Sequence, residues 1–385
     1  MDKITFCIPS KDNLRYLKSS ITSIKQNSTL DNEIIVWVDS DNDGTCKWLD
    51  SKGIEYLRND SDKPKGIAYG YNRCIESAKT DIVCMFHADM YMAEGFDTAI
   101  LQYIKPRTVV SGTRIEPPLH PEGKEKIVRN FGMYPEDFNT SAFKEFVSKT
   151  SAEYKNKVTK GIFAPWAIYK QDIIDIGMHD EQFHSYHEDS DIFNRFVLHG
   201  YNLIQTWEGF VYHLTCRGGQ FKDGIEKVTQ DESFHKMKSN AANHYLRKWG
   251  SWIKNDLFHY PIISPKYDIG FIVKNCNLNL LYALEPWCST IYIDEGNIPT
   301  LFKNYIDKEQ LNTSFDLNIR VKPYDNEKNN EILVSIDGSK FNQQDFQIIK
   351  KLSEIIKDSG EIGSFQLGNL FIDIIQMNEY QNTLI

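Results

Sequence analysis

The feature that most restricts the fold is an alternation through roughly the first hundred residues, in which apolar runs of strand length take turns with apolar stripes at helical spacing. The clearest run is Ile82-Val83-Cys84-Met85-Phe86, set between Thr80-Asp81 and His87-Ala88-Asp89. Five unbroken apolar residues fit a central strand covered on both faces. Ile4-Thr5-Phe6-Cys7-Ile8, which stops at Pro9-Ser10, and Ile34-Ile35-Val36-Trp37-Val38, which stops at Asp39-Ser40-Asp41, read as earlier strands. Leu14, Leu17, Ile21 and Ile24 mark one helix face between them, and Ala68, Tyr71, Ile75 and Ala78 mark another. Strands alternating with helices predict an α/β fold with a mostly parallel, Rossmann-like sheet and right-handed crossovers.

The chain has 385 residues, enough for two domains. An aromatic helical stretch at 234–252 precedes Pro261 and Pro265, which places a domain boundary after residue 262. Residues 1–262 form the first domain on this reading. Residues 263–385 read as a smaller α+β accessory domain, with strands expected at 269–273, 290–293, 315–321, 332–336 and 370–375 and one helix at 345–357. The net charge of -9 argues against nonspecific nucleic-acid binding, and it gives an anionic substrate no general attraction. A bound phosphate must therefore be met locally, by a metal or a few placed cations. The 7 cysteines are scattered without a CxxC pair, as expected of reduced thiols in a cytoplasmic protein. No apolar stretch approaches the roughly 20 residues of a membrane span, and no secretion signal opens the chain.

In open α/β sheets ligands gather at the carboxyl ends of the strands, where His87 and Asp89 stand. The acids Asp39, Asp41 and Asp43 end another strand; they suit a ligand rich in hydroxyls or ring N–H donors, and equally they suit a capped turn. Glu188 and Asp189 precede a helix whose apolar face is Ile192, Phe193, Phe196 and Val197 and which Gly200 ends. Helix capping and a held, ionised carboxylate are compatible uses of the same position. His213 closes the strand Phe210-Val211-Tyr212, and Arg217 before Gly218-Gly219 is either a phosphate contact or a solvated turn.

In this order, with Gly66 and Asn72 on the second helix and Trp166 before the Glu188-Asp189-Ser190-Asp191 block, the motifs resemble the nucleotide-sugar glycosyltransferases of the GT-A fold, in particular the inverting enzymes of family 2. The resemblance covers about residues 1–250. It implies donor contacts from Pro9, Ser10, Asp39, Asp41, Gly66, Asn72, His87, Ala88 and Arg217, and a divalent cation, Mn or Mg, on Asp89 with His213 and His87. It also implies Asp189 as the general base beside Glu188, and Trp166 as an aromatic that stacks on an acceptor sugar. The partners it implies are a UDP- or GDP-sugar and a glycan or other hydroxyl acceptor; a homo-oligomer is compatible with it. Two positions depart from the family pattern: His87 replaces the first Asp of the metal motif, and Tyr71 precedes Asn72 where many relatives carry Arg.

The chemistry asks for these groups. Loss of a nucleoside diphosphate develops charge that a cation on oxygen ligands stabilises, and attack from the opposite face needs a carboxylate to take the acceptor proton. Imidazole at His87 shifts the ligand set toward Mn. Three other readings compete: a metal hydrolase built on His179, His184, His187 and Glu188, an inactive GT-A domain that binds a glycan or acts as a scaffold, and a nucleotidyltransferase. The first lacks the His-Glu-x-x-His spacing, and the last lacks a Gly-rich basic loop after the first strand.

Overall fold

The computed structural model describes residues 2–222, 224, 231–294 and 300–380. The chain divides into two units, Met1–Met237 with Asn255–Ile262 and Lys238–Lys254 with Ile263–Ile385. The boundary expected after residue 262 is one of three points where the chain passes between them.

The first unit follows the predicted alternation. Its elements are β1 (Ile4–Lys11), α1 (Leu14–Asn27), β2 (Glu33–Ser40), α2 (Thr45–Lys52), β3 (Glu55–Arg58), α3 (Ile67–Ser77), β4 (Ile82–Met85), β5 (Met90–Met92) and α4 (Phe96–Leu101). There follow β6 (Thr108–Glu116), β7 (Lys126–Val128), α5 (Thr140–Glu153), β8 (Val158–Lys160), β9 (Trp166–Tyr169), α6 (Lys170–Asp175), α7 (Glu188–Leu198) and β10 (Asn202–His213). They build one mixed sheet in the order β3-β2-β1-β4-β9-β6-β10-β5, with β7 beside β6 and β8 beside β10. The pairs β1–β2, β2–β3, β1–β4 and β6–β10 are parallel, whereas β9 and β5 run antiparallel to their neighbours.

Burial explains why the apolar runs became strands. Phe6, Ile8, Ile35, Val36, Val83 and Cys84 are wholly buried, and Leu17, Ile21, Ile24, Tyr71, Cys74 and Ile75 bring the stripes of α1 and α3 onto them. Each large apolar side chain so covered contributes about 1.5–3 kcal/mol. Order reverses at β1, since β2 and β3 extend to one side and β4 to the other; the β1–β4 edge is therefore the switch point at which a ligand crevice forms.

The second unit has a six-stranded sheet of β11 (Ile269–Lys274), β12 (Thr290–Ile293), β13 (Val321–Pro323), β14 (Ile332–Asp337), β15 (Gly363–Leu367) and β16 (Leu370–Ile374). Its order is β13-β12-β11-β14-β16-β15. The first four strands in that order are parallel and the last two antiparallel, so only the closing hairpin has the strand arrangement expected of an α+β domain. Two local expectations give way to capping. The strand expected over 315–321 begins instead as the short helix Leu317–Arg320, because the Asp316 side chain accepts from Asn318 N. The helix expected over 345–357 is two, Gln343–Lys350 and Leu352–Ser359, the first opened by a capping box between Asn342 and Asp345. Among the described residues no helix is long and apolar enough to cross a membrane.

Candidate active site

The carboxyl end of β4 brings the metal-ligand candidates together, and backbone pairing is the reason. After β4 the chain turns through His87-Ala88-Asp89, closed by Met90 N donating to His87 O at 3.2 Å, and enters β5. That strand pairs antiparallel with β10 in the register Met90↔His213. His213 is thereby set beside the turn, and Leu214 N donates to Asp89 O at 3.0 Å. His87, Asp89 and His213 each offer a ligand atom, and these atoms lie within 4.8 Å of one another; among the described residues they are the one such group of three. Asp89 and His213 are buried, and His87 is partly exposed. The competing set of His179, His184, His187 and Glu188 forms no such group.

The arrangement fits a divalent cation. His213 Nε2 lies 3.4 Å from Asp89 Oδ1, while its Nδ1 meets Glu116 Oε1 at 2.9 Å. A ligating imidazole is commonly held in this way, with the far nitrogen on a carboxylate that fixes the ring and raises its basicity. Burial works against the charge on Asp89, yet His213, His87 and the Arg217 N–H hold its carboxyl well below the usual range. Burial and the neighbouring His213 push His87 down to about 4, so its imidazole is neutral and free to ligate. His213 would be lowered by burial but is carried up to about 9 by Asp89 and Glu116, the two carboxylates it lies between; a cation on Asp89 would have to displace that proton for the imidazole to ligate.

Sequence reasoning missed Glu116. The strand β6 runs on to Glu116 just before Pro117-Pro118, and its pairing Ile115↔Tyr212 sets Glu116 alongside His213. Around it Lys126 Nζ lies 2.8 Å from Glu116 Oε2, Arg114 Nε 3.8 Å from Oε1, and Arg114 Nη2 3.3 Å from Glu125 Oε1. The sequence shows there only an acid two residues after a base, Arg114 and Glu116, at the end of an apolar run.

The carboxylate pair sits where α7 begins. Tyr186 and His187 both adopt left-handed backbone, at φ 68° and 67°, which is costly for residues other than glycine and turns the chain sharply into the helix. His187 is thus the N-cap, and Glu188 and Asp189 occupy the first turn, where the helix dipole favours negative charge. Glu188 is buried and its Oε2 has no hydrogen-bond partner; Asp189 is partly buried. Burial raises both carboxyls, Glu188 further because Asp189 repels its charge, whereas Trp166 and Arg114 favour the ionised form of Asp189. The pair titrates as a unit whose environment favours the proton on Glu188 and the charge on Asp189. Arg195 braces the helix from below: it binds Asp191 at 2.9 Å and the carbonyls of Ile176 and Met178 at 2.8 and 2.6 Å.

Other expected positions are placed differently. Trp166 does not offer a face to a sugar, because its ring is fully buried against His179, Phe193 and Phe196. What it turns toward Asp189 is the indole N–H, which lacks a partner at full hydrogen-bond geometry but still favours the carboxylate charge. Asn72 is buried and clamps the backbone of His179, donating to its carbonyl at 2.9 Å and accepting from its N–H at 3.0 Å. Asp39 accepts from Lys65 N at 2.8 Å, Gly66 N at 3.0 Å and Asn59 Nδ2 at 3.1 Å, so most of its capacity is spent on a turn. Gly66 is needed there, since at φ +91° a Cβ would come within 2.2 Å of the His184 carbonyl. Asp41 caps the start of α2 through Cys46 N at 3.0 Å. Pro9, Ser10 and Ala88 lie at the switch point, and the Ser10 hydroxyl is buried without a partner. The Arg217 guanidinium is not a loose surface group. It is buried, with Nη2 on Met133 O at 2.5 Å and Nε and Nη1 without partners.

Beside the triad lies an open cleft of about 700 Å³, with Arg114, Glu116, His213, Phe163 and His259 among its walls. The strand order of the first unit agrees with one comparison. Residues 5–174 match the family model "Glycosyl transferase family 2". The chain carries a family 2 glycosyltransferase domain. No curated protein matches the chain. Among solved structures it is similar to GalNAc-T7, crystallised with UDP, GalNAc and Mn2+, at 12% identity and TM-score 0.43, over 55% of this chain and 43% of that one. It is also similar to S. aureus TarS residues 1–349, at 11% identity and TM-score 0.40 over 62% and 64%, and to a longer TarS chain at 10% and 0.41 over 63% and 43%. The chain thus matches between 43% and 64% of the length of these structures.

Proposed function

We propose that this family 2 domain is an inverting, metal-assisted glycosyltransferase that moves a sugar from a UDP- or GDP-sugar to an acceptor hydroxyl. The observation that carries the reading is the convergence of His87, Asp89 and His213, drawn from two distant segments, at the switch point of the sheet. Mn2+ or Mg2+ held there would neutralise the diphosphate oxygens of the donor as charge develops on them. Glu116 orients His213 and Arg217 N–H orients Asp89, so the ligand set is fixed in advance. The unpartnered Nε and Nη1 of Arg217 and the Ser10 hydroxyl are donors suited to phosphate or ribose oxygens; Asp39 and Asp41, at the end of β2, are the acids nearest in sequence to the donor side of this reading. Asp189 takes the proton of the attacking hydroxyl, with Trp166 keeping it ionised and Glu188 held neutral beside it. Gly66 and Asn72 position the segment that leads to the base rather than touching the donor.

In this proposal residues 1–262 carry the reaction and 263–385 are accessory, in a cytoplasmic setting that keeps the thiols reduced. The test is nucleotide release from a panel of UDP- and GDP-sugars, with and without Mn2+, by the native protein and by Asp89→Ala. Native release that depends on the ion, and loss of ion-dependent nucleotide binding in the variant, is the expected result. Nucleotide-sugar binding by the native protein with no turnover on any acceptor would instead favour the glycan-binding reading.

A further inference from the structure

The cleft beside the triad has an unusual charge balance. It abuts the metal-ligand group through His213 and Glu116 and continues along the β6 and β10 side of the sheet, whereas the strands that end at Ser10 and Asp39 lie on the other side of β4. A donor nucleotide seated on β1 and β2 therefore leaves this cleft free. Its volume of about 700 Å³ falls within the roughly 300–1,000 Å³ typical of sites for compact organic ligands.

The cations on the buried wall are already committed. Arg114 lies 3.3 Å from Glu125, and Lys126 lies 2.8 Å from Glu116. Burial lowers the pKa of both His120 and His259, so neither adds positive charge at neutral pH. At the exposed rim Glu122 and Lys124 oppose each other in sign. A phosphate or sulfate group entering here finds no surplus of cationic donors, which recognition of such groups requires. The wall does offer apolar surface in the 65%-exposed Leu257 and in Phe163, whose ring is stiffened by the Arg114 guanidinium at 3.7 Å. Glu116 and Glu125 are committed by the same pairs, which leaves the exposed carboxylates Glu122 and Asp256 as acceptors near the apolar patch; this combination matches a sugar ring, which presents C–H faces and hydroxyl donors together.

Resting on the glycosyl-transfer reading, we propose that this cleft is the acceptor site and that its acceptor is an uncharged saccharide rather than a phosphate- or sulfate-bearing polymer. Saturation-transfer NMR on the full chain with Mg2+ and UDP would compare neutral trisaccharides (cellotriose, maltotriose, mannotriose, chitotriose) with their sulfated counterparts. Signal from at least one neutral member, and at least tenfold less from the charged partner, is expected; preference for the charged set, or binding of neither, overturns the proposal. Leu257→Asp should weaken that signal about tenfold, and an unchanged signal puts the saccharide elsewhere. UDP binding is followed separately in the same samples. If UDP fails to bind with Mg2+ or Mn2+ the transferase reading fails, whereas UDP binding with the wrong saccharide preference defeats only the acceptor assignment.

Discussion

His213 in the first unit is an imidazole lying between two carboxylates, Asp89 and Glu116; Glu285 in the second is a carboxylate lying between two guanidinium groups, Arg247 and Arg320. Both clusters are buried, and burying charge is costly unless it is compensated. The second is closed. Glu285 Oε1 takes Arg320 at 2.5 Å and Oε2 takes Arg247 at 2.7 Å and Tyr305 at 2.8 Å, with Glu309 adding a further contact to Arg247 at 2.8 Å. Only Arg247 Nη1 is left over, beside a void of about 10 Å³, room for one water. The first is open. A cleft touches it, and Ser10, Arg217 and Glu188 in the same unit hold buried polar atoms that nothing among the described residues satisfies. Strand order does not separate the two units, because β13-β12-β11-β14 repeats β3-β2-β1-β4. In the second unit Asp337, which ends β14, is taken up by Asn275 and Ser339. Topology supplies a place for a site; surplus polar capacity makes one.

The strongest way to break this contrast is Asp189→Asn. If the open unit spends its uncompensated groups on catalysis, removal of the proton acceptor alone should cut kcat by about 10²- to 10⁴-fold while donor affinity stays close to native. Unchanged turnover in a steady-state assay would end the assignment of the base. The matching change in the closed cluster, Glu285→Ala, leaves two guanidinium groups buried without their partner, and should cost about 3–5 kcal/mol of stability in denaturant titration. A loss under 1 kcal/mol would mean that the second cluster is as relaxed as the first.

Glu116→Gln sharpens the comparison more gently. The amide keeps the shape of the side chain but not the charge behind His213, and metal affinity measured by calorimetry should fall about 10- to 100-fold. Equal affinity would show that Glu116 serves Arg114 and Lys126 and not the triad.

Much of the first unit was legible in the sequence because its strands are buried on both faces and so lack polar interruptions. The candidate ligands stood out for a related reason: His87, Asp89 and His213 are polar residues at the ends of such runs, where the register of β5 on β10 joins them. Glu116 was not, since what gives it meaning is a neighbour 97 positions away in the chain. Asn72 and Asp39 were expected as donor contacts, but a polar side chain turned toward backbone and one turned toward ligand look alike in sequence. Trp166 misled for the opposite reason. An aromatic near a carboxylate pair suggests stacking, and only the packing of Phe193 and Phe196 shows that the ring is enclosed and the N–H is what matters. In the second unit parallel pairing could not be read at all, because short strands of mixed exposure give no sign of their direction.

Trp166→Phe gives the smallest effect and the most specific one. Phenylalanine keeps an aromatic ring in the enclosed position and removes only the indole N–H and some volume. If Asp189 is the proposed base it works when ionised, so activity rises with pH through its pKa, which burial has already raised above the ordinary carboxylate value of about 4. The indole N–H favours the charged form, and its loss must therefore move the acid limb of the kcat profile to higher pH. One modest hydrogen-bond-like interaction corresponds to about 0.5–1 pH unit. A variant that only loosened the core would lower kcat at every pH and leave the limb where it was. A limb that moved to lower pH would show that Trp166 opposes the charge on Asp189, and the split between the two carboxyls would then need another source.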